Sequence, residues 1–420
     1  MKSKQKNISN SFEHDTIQNL AKLIKTQKVS PVELVDACLK RIEDLNPRLN
    51  AFITILEDQA REQARSAEAQ IKAGKWRGPL HGIPVGIKDF YDTAGIKTTA
   101  AFEHFKDRLP AKDAVGVSKF KKAGAIIIGK MNMHALGTGT TGLDSYFGPV
   151  QNPWHPEYIP GGSSSGSAAA VASGMCYATL DTDAIGSVRL PAACCGVVGF
   201  KGTYGLISTK GILEGEEPPD EMILWLNHAG ITTRSVHDTA LVLNVLAERN
   251  KHMKTADFVR ALARNRKLRI GLANNFKADQ EVKAAFEKAV ETIRSFGYPM
   301  NSVPAPFADP SGGISNIEAD RKAIASQAFK NIDVLLLPTT TTPVPTIKAA
   351  GDNPQALSPE NTSFANYYGL PAISVLCDFD ANGLPVGLQI VGGPWGETAV
   401  LRLANQYQEA AGYSNKHPYK

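Results

Sequence analysis

The chain has 420 residues, 43% of them hydrophobic and 21% charged, with a formal net charge of +5. A charge this small and this spread out argues against a nucleic-acid partner, and the composition is that of a globular chain long enough to bury a large core. The five cysteines (Cys38, Cys176, Cys194, Cys195, Cys377) are odd in number and include no CxxC pair. That argues against a disulfide framework and a zinc site, and for reduced thiols in a cytoplasmic protein.

The basic start MKSKQK is followed by no apolar h-region, so no signal peptide is expected, and no apolar run has the length of a membrane span. Residues 1–10 read as a frayed polar end. Ile17, Leu20 and Ile24 recur at helical spacing over Thr16 to Ile24. Ser30, Pro31 and Glu33 form a capping-box pattern, opening a helix that runs to about Leu45 and is ended by Asn46-Pro47. AFITIL (51–56) reads as a strand and Asp58 to Ala73 as a charged helix. The alternation Ile83, Val85, Ile87 reads as a short buried strand ending at Lys88-Asp89.

Further on, a helix is expected over Asp113 to Ala123 and a strand over Ala125 to Ile128. Gly124 to Lys130 imitates the start of a phosphate loop. Its apolar interior reads as a strand, and Met131 stands where a magnesium-binding hydroxyl belongs, so that reading is rejected. After a loop-rich stretch to Pro160, Gly161 to Arg189 combines a glycine-serine cluster with small apolar residues and closes on Ser187. RLPAACCGVVGFK reads as a helix start and a strand, and Glu214 to Asp220 as an acidic loop. Helices are expected at Ser235 to Leu246, Asp279 to Phe296, Ile317 to Phe329, Ser363 to Tyr368 and Trp395 to Ala411. Strands are expected at Lys267 to Leu272, Asp333 to Leu337, Ala372 to Leu376 and Leu384 to Val391, and Val303 to Ser315 as a Pro/Gly-rich connection. Alternating strands and helices without a linker predict one α/β domain over residues 1–420. A mixed central sheet would be covered by helices on both faces, with residues 1–75 a helical segment packed against it.

Two kinds of chemistry fit the serines. Gly162-Ser163-Ser164-Ser165-Gly166 matches a nucleophile elbow with Ser164 as nucleophile, which requires a strand leading in and an acid and a histidine downstream. Tyr158-Ile159-Pro160 is a poor lead-in strand. His228, His237, His252 and His417 stand in no distinctive context. The other arrangement uses no histidine. A serine hydroxyl is a weak nucleophile until a base takes its proton, and a neutral buried lysine can serve, directly or through a second hydroxyl. Lys88 sits in an apolar setting. Locally it reads equally well as such a base or as half of a buried ion pair with a carboxylate such as Asp89.

The motifs GPLHGIPVGIKD, AGAIIIGKMNM, NPW…PGGSSSGSAAAVASG, TD-x-x-GSVRLPA and CGVVGFKGTYG occur in this order between about Gly78 and Gly205. Together they resemble the amidase signature family. Weaker similarity continues through TRSVHDTALVL, DVLLLPTTTTP, GLPAISV and GLPVGLQIVGGP. The resemblance implies an α/β/α fold, Lys88 as base, Ser163 as relay serine after a cis peptide bond, and Ser187 as nucleophile. The main-chain N–H groups of Ala184, Ile185, Gly186 and Ser187 would form the oxyanion hole. Asp183 and Arg189 would brace the loop as an ion pair, with Ser164 in support. The implied reaction is hydrolysis of a linear carboxylic amide through an acyl-enzyme, with neither cofactor nor metal. The expected partner is a small-molecule amide, without nucleic acid or membrane, and a homodimer is admitted.

The chain departs from the family pattern beside its own nucleophile. The usual Gly-Thr-Asp-x-Gly-Gly-Ser becomes Asp181-Thr182-Asp183-Ala184-Ile185-Gly186-Ser187. Ile185 must take ordinary dihedrals or distort the loop, and Asp181 adds a negative charge near a site that must stabilise an anion. With the short connection from Pro304 to Ile317, these departures predict a wider, more open substrate pocket or one built for an unusual acyl group. A glutaminase of the amidotransferase type, acting with partner subunits, is the second function. It would need a glutamine-binding carboxylate shortly before GLPAIS, where this chain reads NTSFANYYGLPAIS. A third, of another class, is an amidase-fold protein that binds without turnover.

Overall fold

The computed structural model describes residues 12–217, 221–249, 252, 257–264, 266–308 and 314–419. Eleven strands form one sheet: β1 (Phe52–Ile55), β2 (Pro84–Lys88), β3 (Ile126–Met131), β4 (Ala178–Asp183), β5 (Val198–Lys201), β6 (His228–Thr233), β7 (Ile270–Ala273), β8 (Met300–Val303), β9 (Val334–Pro338), β10 (Ala372–Phe379) and β11 (Pro385–Gly392). Their order is β1-β3-β2-β4-β6-β5-β10-β11-β9-β7-β8. The β3-β2-β4 and β9-β7-β8 segments are parallel, and the other pairings are antiparallel. This is the expected mixed sheet.

Strand alternation separates two helical layers. A Cβ on Gly387 would meet Ala193, and Gln389 bonds Arg189, so these positions face the helix Arg189–Cys195. Gly392 lies against Val400, so it, Leu388 and Ile390 face the helix Glu397–Ala411. The first layer also holds the helix Ser165–Ala172, and the second the helices Val236–Leu246 and Gln280–Arg294. The main core lies along the second layer and the sheet, with Leu243, Leu246, Val282, Ile293, Leu388, Ile390 and Leu401 almost wholly buried. Each such side chain contributes about 1.5–3 kcal/mol of transfer free energy.

Most predicted elements appear within a few residues. Thr16 caps the helix Ile17–Lys25, and Ser30 and Glu33 close the capping box. The helix from Pro31 differs from expectation: it continues through Pro47 to Leu49 and ends on Asn50 in the left-handed region (φ 50). The proline falls in the last turn, where it removes one N–H bond. Burial of Leu49 and the cap bond from the Asn50 N–H to the Asn46 carbonyl (2.8 Å) hold that turn. The strand expected at Ala125 to Ile128 extends to Met131. Two central strands, β4 and β6, and the shorter β8 were not expected. The predicted end at residues 1–10, positions 218–220 of the acidic loop and positions 309–313 of the Pro304–Ile317 connection lie outside the described residues.

Candidate active site

The parallel strands β2 and β4 end side by side, with Lys88 the last residue of one and Asp183 the last of the other. The chain between Ile159 and Ser165 crosses in front of these ends. Gly161 has φ +77, and the Gly162–Ser163 peptide is cis. Lys88 is completely buried. Its Nζ lies 2.8 Å from Ser163 Oγ, 2.9 Å from Ser164 Oγ, 2.9 Å from Thr182 Oγ1 and 3.5 Å from the Thr182 carbonyl. Burial lowers its amine to about 7, against the opposing pull of Asp181 and then Asp183. Lys88 is therefore not paired with Asp89. That carboxylate lies 3.3 Å from Lys130 Nζ and accepts the Thr99 N–H and hydroxyl.

Ser187 reaches the same place from β4. Its carbonyl accepts the Ser164 N–H at 3.1 Å, which ties the two serine segments together. Its hydroxyl has no hydrogen-bond partner among the described residues, while Lys88 and Ser163 are bonded to each other. Ser187 is 3% exposed, whereas Ala184 and Ile185 are more open to solvent. The loop turns at Gly186 (φ +138), where only glycine is at ease. Ile185 keeps negative φ, so it does not distort the turn.

One expected oxyanion donor is already committed. The Gly186 N–H donates to Asp183 Oδ1 at 2.8 Å, and the Val188 N–H to Asp183 Oδ2 at 3.1 Å. The N–H groups of Ala184, Ile185 and Ser187 have no acceptor among the described residues. The donor set is thus narrower than the sequence implied, because the carboxylate that shapes the turn consumes its glycine N–H.

Asp183 and Arg189 form a fully buried ion pair with contacts of 2.9 and 3.0 Å. Arg189 also donates to the Thr362 carbonyl (2.9 Å), Gln389 Oε1 (2.6 Å) and Asn366 Oδ1 (2.6 Å), which employs all five of its N–H groups. Burial alone would raise the Asp183 carboxyl; the Arg189 charge and hydrogen bonds outweigh it and hold the group well below the usual carboxylate range. Asn366 Nδ2 donates to the Asp183 carbonyl (2.7 Å) and carboxylate (2.9 Å), and Thr362 Oγ1 to the Ile185 carbonyl (2.5 Å). Thr182, Thr362, Asn366 and Gln389 were not foreseen. Thr182 and Gln389 lie inside the motifs TD-x-x-GSVRLPA and GLPVGLQIVGGP, and Thr362 and Asn366 just before GLPAIS, but nothing in their local pattern marks them as partners of the site.

The elbow fails on topology. Residues 150–164 contain no strand, only an isolated bridge from Tyr158 to Thr346. His228 is spent on the Leu226 carbonyl (2.7 Å). The Asp181 charge sits on the Lys88 side of β4, where Ser167, Thr179 and Thr232 donate hydroxyls to it. Among the described residues no cluster of His, Cys, Asp and Glu could hold a metal, and no helix is long and apolar enough to cross a membrane.

A serine loop, a glycine-serine turn and a buried lysine thus meet at one end of the mixed sheet of an α/β protein. The family model described as Amidase matches residues 33–317 and 316–401. The A subunit of glutamyl-tRNA(Gln) amidotransferase from Geobacter metallireducens is 32% identical over 480 residues, covering 95% of this chain and 97% of that protein. The structure of 6-aminohexanoate cyclic dimer hydrolase matches with a TM-score of 0.85 at 24% identity, covering 98% and 99% of the two chains, a likeness of fold. The A subunit of the Thermotoga maritima glutamyl-tRNA(Gln) amidotransferase matches with a TM-score of 0.78 at 28% identity, covering 97% of each. The chain belongs to the Amidase family, whose enzymes act on amide C–N bonds.

Proposed function

We propose that this chain is an amidase that hydrolyses a linear carboxylic amide, with Ser187 as nucleophile, Ser163 as relay and Lys88 as base. The observation that carries the reading is the Lys88 amine. It is buried, lowered to about 7 and 2.8 Å from Ser163 Oγ, in a turn bonded through Ser164 to the Ser187 main chain. A neutral amine accepts one proton, and Ser163 offers its hydroxyl to it. Ser187 Oγ bonds to the amide carbon while its proton moves to Ser163 and the Ser163 proton to Lys88. The carbonyl oxygen becomes an oxyanion facing the free N–H groups of Ala184, Ile185 and Ser187, the kind of preorganised donors that dominate such catalysis. Collapse breaks the C–N bond, and the proton returns along the relay to the leaving amine. Water then attacks the acyl-enzyme by the same route. The unpaired, buried cysteines suit a reducing compartment such as the cytoplasm.

Hydrolysis of a small panel of amides by wild type, Ser187→Ala and Lys88→Ala tests the reading. Both variants are expected to lose activity. Equal turnover by wild type and Ser187→Ala would overturn it.

A second reading, glutamine-derived amide transfer with partner subunits, is favoured by the name of the Geobacter relative. The stretch before GLPAIS speaks against it. Glu360 lies in a surface pair with Lys277, while Thr362 and Asn366 serve the nucleophile loop. Ammonia release from glutamine in preference to every other amide of the panel would decide for that reading.

A further inference from the structure

Asp181 is the charged residue of β4 to which the proposed reaction gives no task. Across β2 and β4, Val85 stands opposite Ala178, Gly86 opposite Thr179 and Ile87 opposite Leu180, so the next neighbours are Lys88 and Asp181. Adjacent strands lie about 4.8 Å apart. A Cβ on Gly86 would meet Thr179 Cγ2 at 3.1 Å, which puts both on one face of the sheet. Lys88 and Asp181, two residues further along each strand, share that face. The Asp181 carboxylate is completely buried and makes no ion-pair contact among the described residues. It accepts three hydroxyls: Ser167 at 2.5 Å on one oxygen, Thr179 at 2.6 Å and Thr232 at 2.7 Å on the other. Burial raises the Asp181 carboxyl, and the three donated hydroxyls together with the Lys88 charge work against that rise in favour of the ionised form.

We propose that Asp181 is a positioning residue that holds a negative charge beside Lys88 and thereby sets the pH range in which the base is free to take a proton. This rests on the reading of Lys88 as base. The other groups that face the pair are few. Asp183 lies on the same strand, His134 belongs to the loop whose N–H bonds the Ser163 carbonyl, and the Tyr91 phenol donates to the Asp181 carbonyl at 2.8 Å. The Gly161–Ser165 turn contributes only hydroxyls, and the Phe90 ring, 5.8 Å from Lys88 Nζ, carries no charge. Burial drives the Lys88 amine down, and Asp181 is the first of the two carboxylates that pull it back.

The sign follows directly. A neighbouring anion stabilises the ammonium, so its removal lowers the amine further and leaves the base free at lower pH. An opposite charge within about 4–6 Å shifts a pKa by about 1–3 units. Asp181→Asn suits the site, because its carbonyl oxygen can take the Thr179 and Thr232 hydroxyls while its NH2 donates to Ser167 Oγ.

The test is the rate of Ser187 modification by an alkyl fluorophosphonate as a function of pH in wild type, Asp181→Asn, Asp181→Gly and Ser187→Ala. The expected result is no labelling of Ser187→Ala, and an acid limb displaced downward by about one to two pH units in the Asp181 variants. Asp181→Gly, which has no carboxylate to satisfy, carries the test if Asp181→Asn does not fold. An acid limb that stays in place or moves upward, with Ser187→Ala silent, overturns the role of Asp181 alone. Labelling of Ser187→Ala at the wild-type rate overturns the underlying assignment of the nucleophile instead.

Discussion

Thr362 gives its hydroxyl to the carbonyl of Ile185 at 2.5 Å, across 177 positions of sequence. The same hydroxyl lies 2.9 Å from the Pro359 carbonyl, so a single side chain pins the half-buried shoulder of the loop before Ser187 to the segment before β10. Thr362→Val keeps the shape and removes the donor. Leaving a carbonyl unsatisfied costs about 1–3 kcal/mol, and here that cost falls on the placement of the free N–H groups. The expected outcome is a kcat about tenfold lower with KM little changed, read from steady-state amide hydrolysis. An unchanged kcat would mean that the loop holds its shape without this bond.

Arg189 is the counter-charge that lets Asp183 organise the turn. Arg189→Met would leave a buried carboxylate without its cation, and breaking such a pair typically costs about 3–5 kcal/mol. Denaturant unfolding should show that loss. Arg189→Lys should recover little of it, because one ammonium cannot reproduce five N–H contacts in a planar fork.

The lowered Lys88 amine also makes stability depend on pH. The unfolded lysine titrates near its ordinary value of 10.5 and the folded one at about 7. Between these values the unfolded chain binds more protons, so the Lys88 contribution to stability rises with pH from about 7 to about 10.5. Lys130 and Lys201 are lowered as well, so the comparison must be between variants. Relative to Lys88→Met, the Tm of wild type should climb over this window. Parallel Tm curves would show that Lys88 titrates normally in the folded protein.

The helix Arg189–Cys195 and the Val188 that precedes it rest on strand glycines. A Cβ at Gly199 would come within 2.5 Å of the Val188 carbonyl and 2.6 Å of Ala192 Cβ, and one at Gly230 within 2.6 Å of Val188. Gly199→Ala should therefore cost about 1–3 kcal/mol by overpacking and reduce kcat, because the backbone it displaces adjoins Ser187. Thermal unfolding and steady-state kinetics of the variant measure both effects, and wild-type values in both would show that the helix yields freely.

Much of this was legible in the sequence where residues obey a period or a cap. Ser30 and Glu33 announced their helix, and the apolar run at Val334 to Leu337 announced β9. The residues that meet at Lys88 were legible through motif order. Of the strands around the site, β2 was legible, while β4 and its neighbour β6 were not. β4 reads ATLDTD and β6 reads HAGITT, too polar for central strands by any hydrophobic pattern. They are buried because their polar groups satisfy one another, Asp181 with Thr179 and Thr232, and Asp183 with Arg189 and Asn366. Local sequence cannot display a partner that lies 183 positions away, as Asn366 does from Asp183. The same blindness assigned Gly186 a free N–H, since nothing in its neighbours shows that Asp183 folds back to claim it.

The partners of Arg189 have a consequence for synthesis. They are drawn from positions 183, 362, 366 and 389, and Gln389 in turn holds the Asn361 carbonyl at 2.7 Å. A chain leaving the ribosome from its N-terminus has made Lys88, Ser163 and Ser187 long before the segment that steadies their loop has emerged. A nascent chain of this construction is therefore expected to stay silent until the segment through Gln389 has emerged. Released fragments that stop short of Asn361 should resist a serine-directed probe, although all three reactive side chains are present in them.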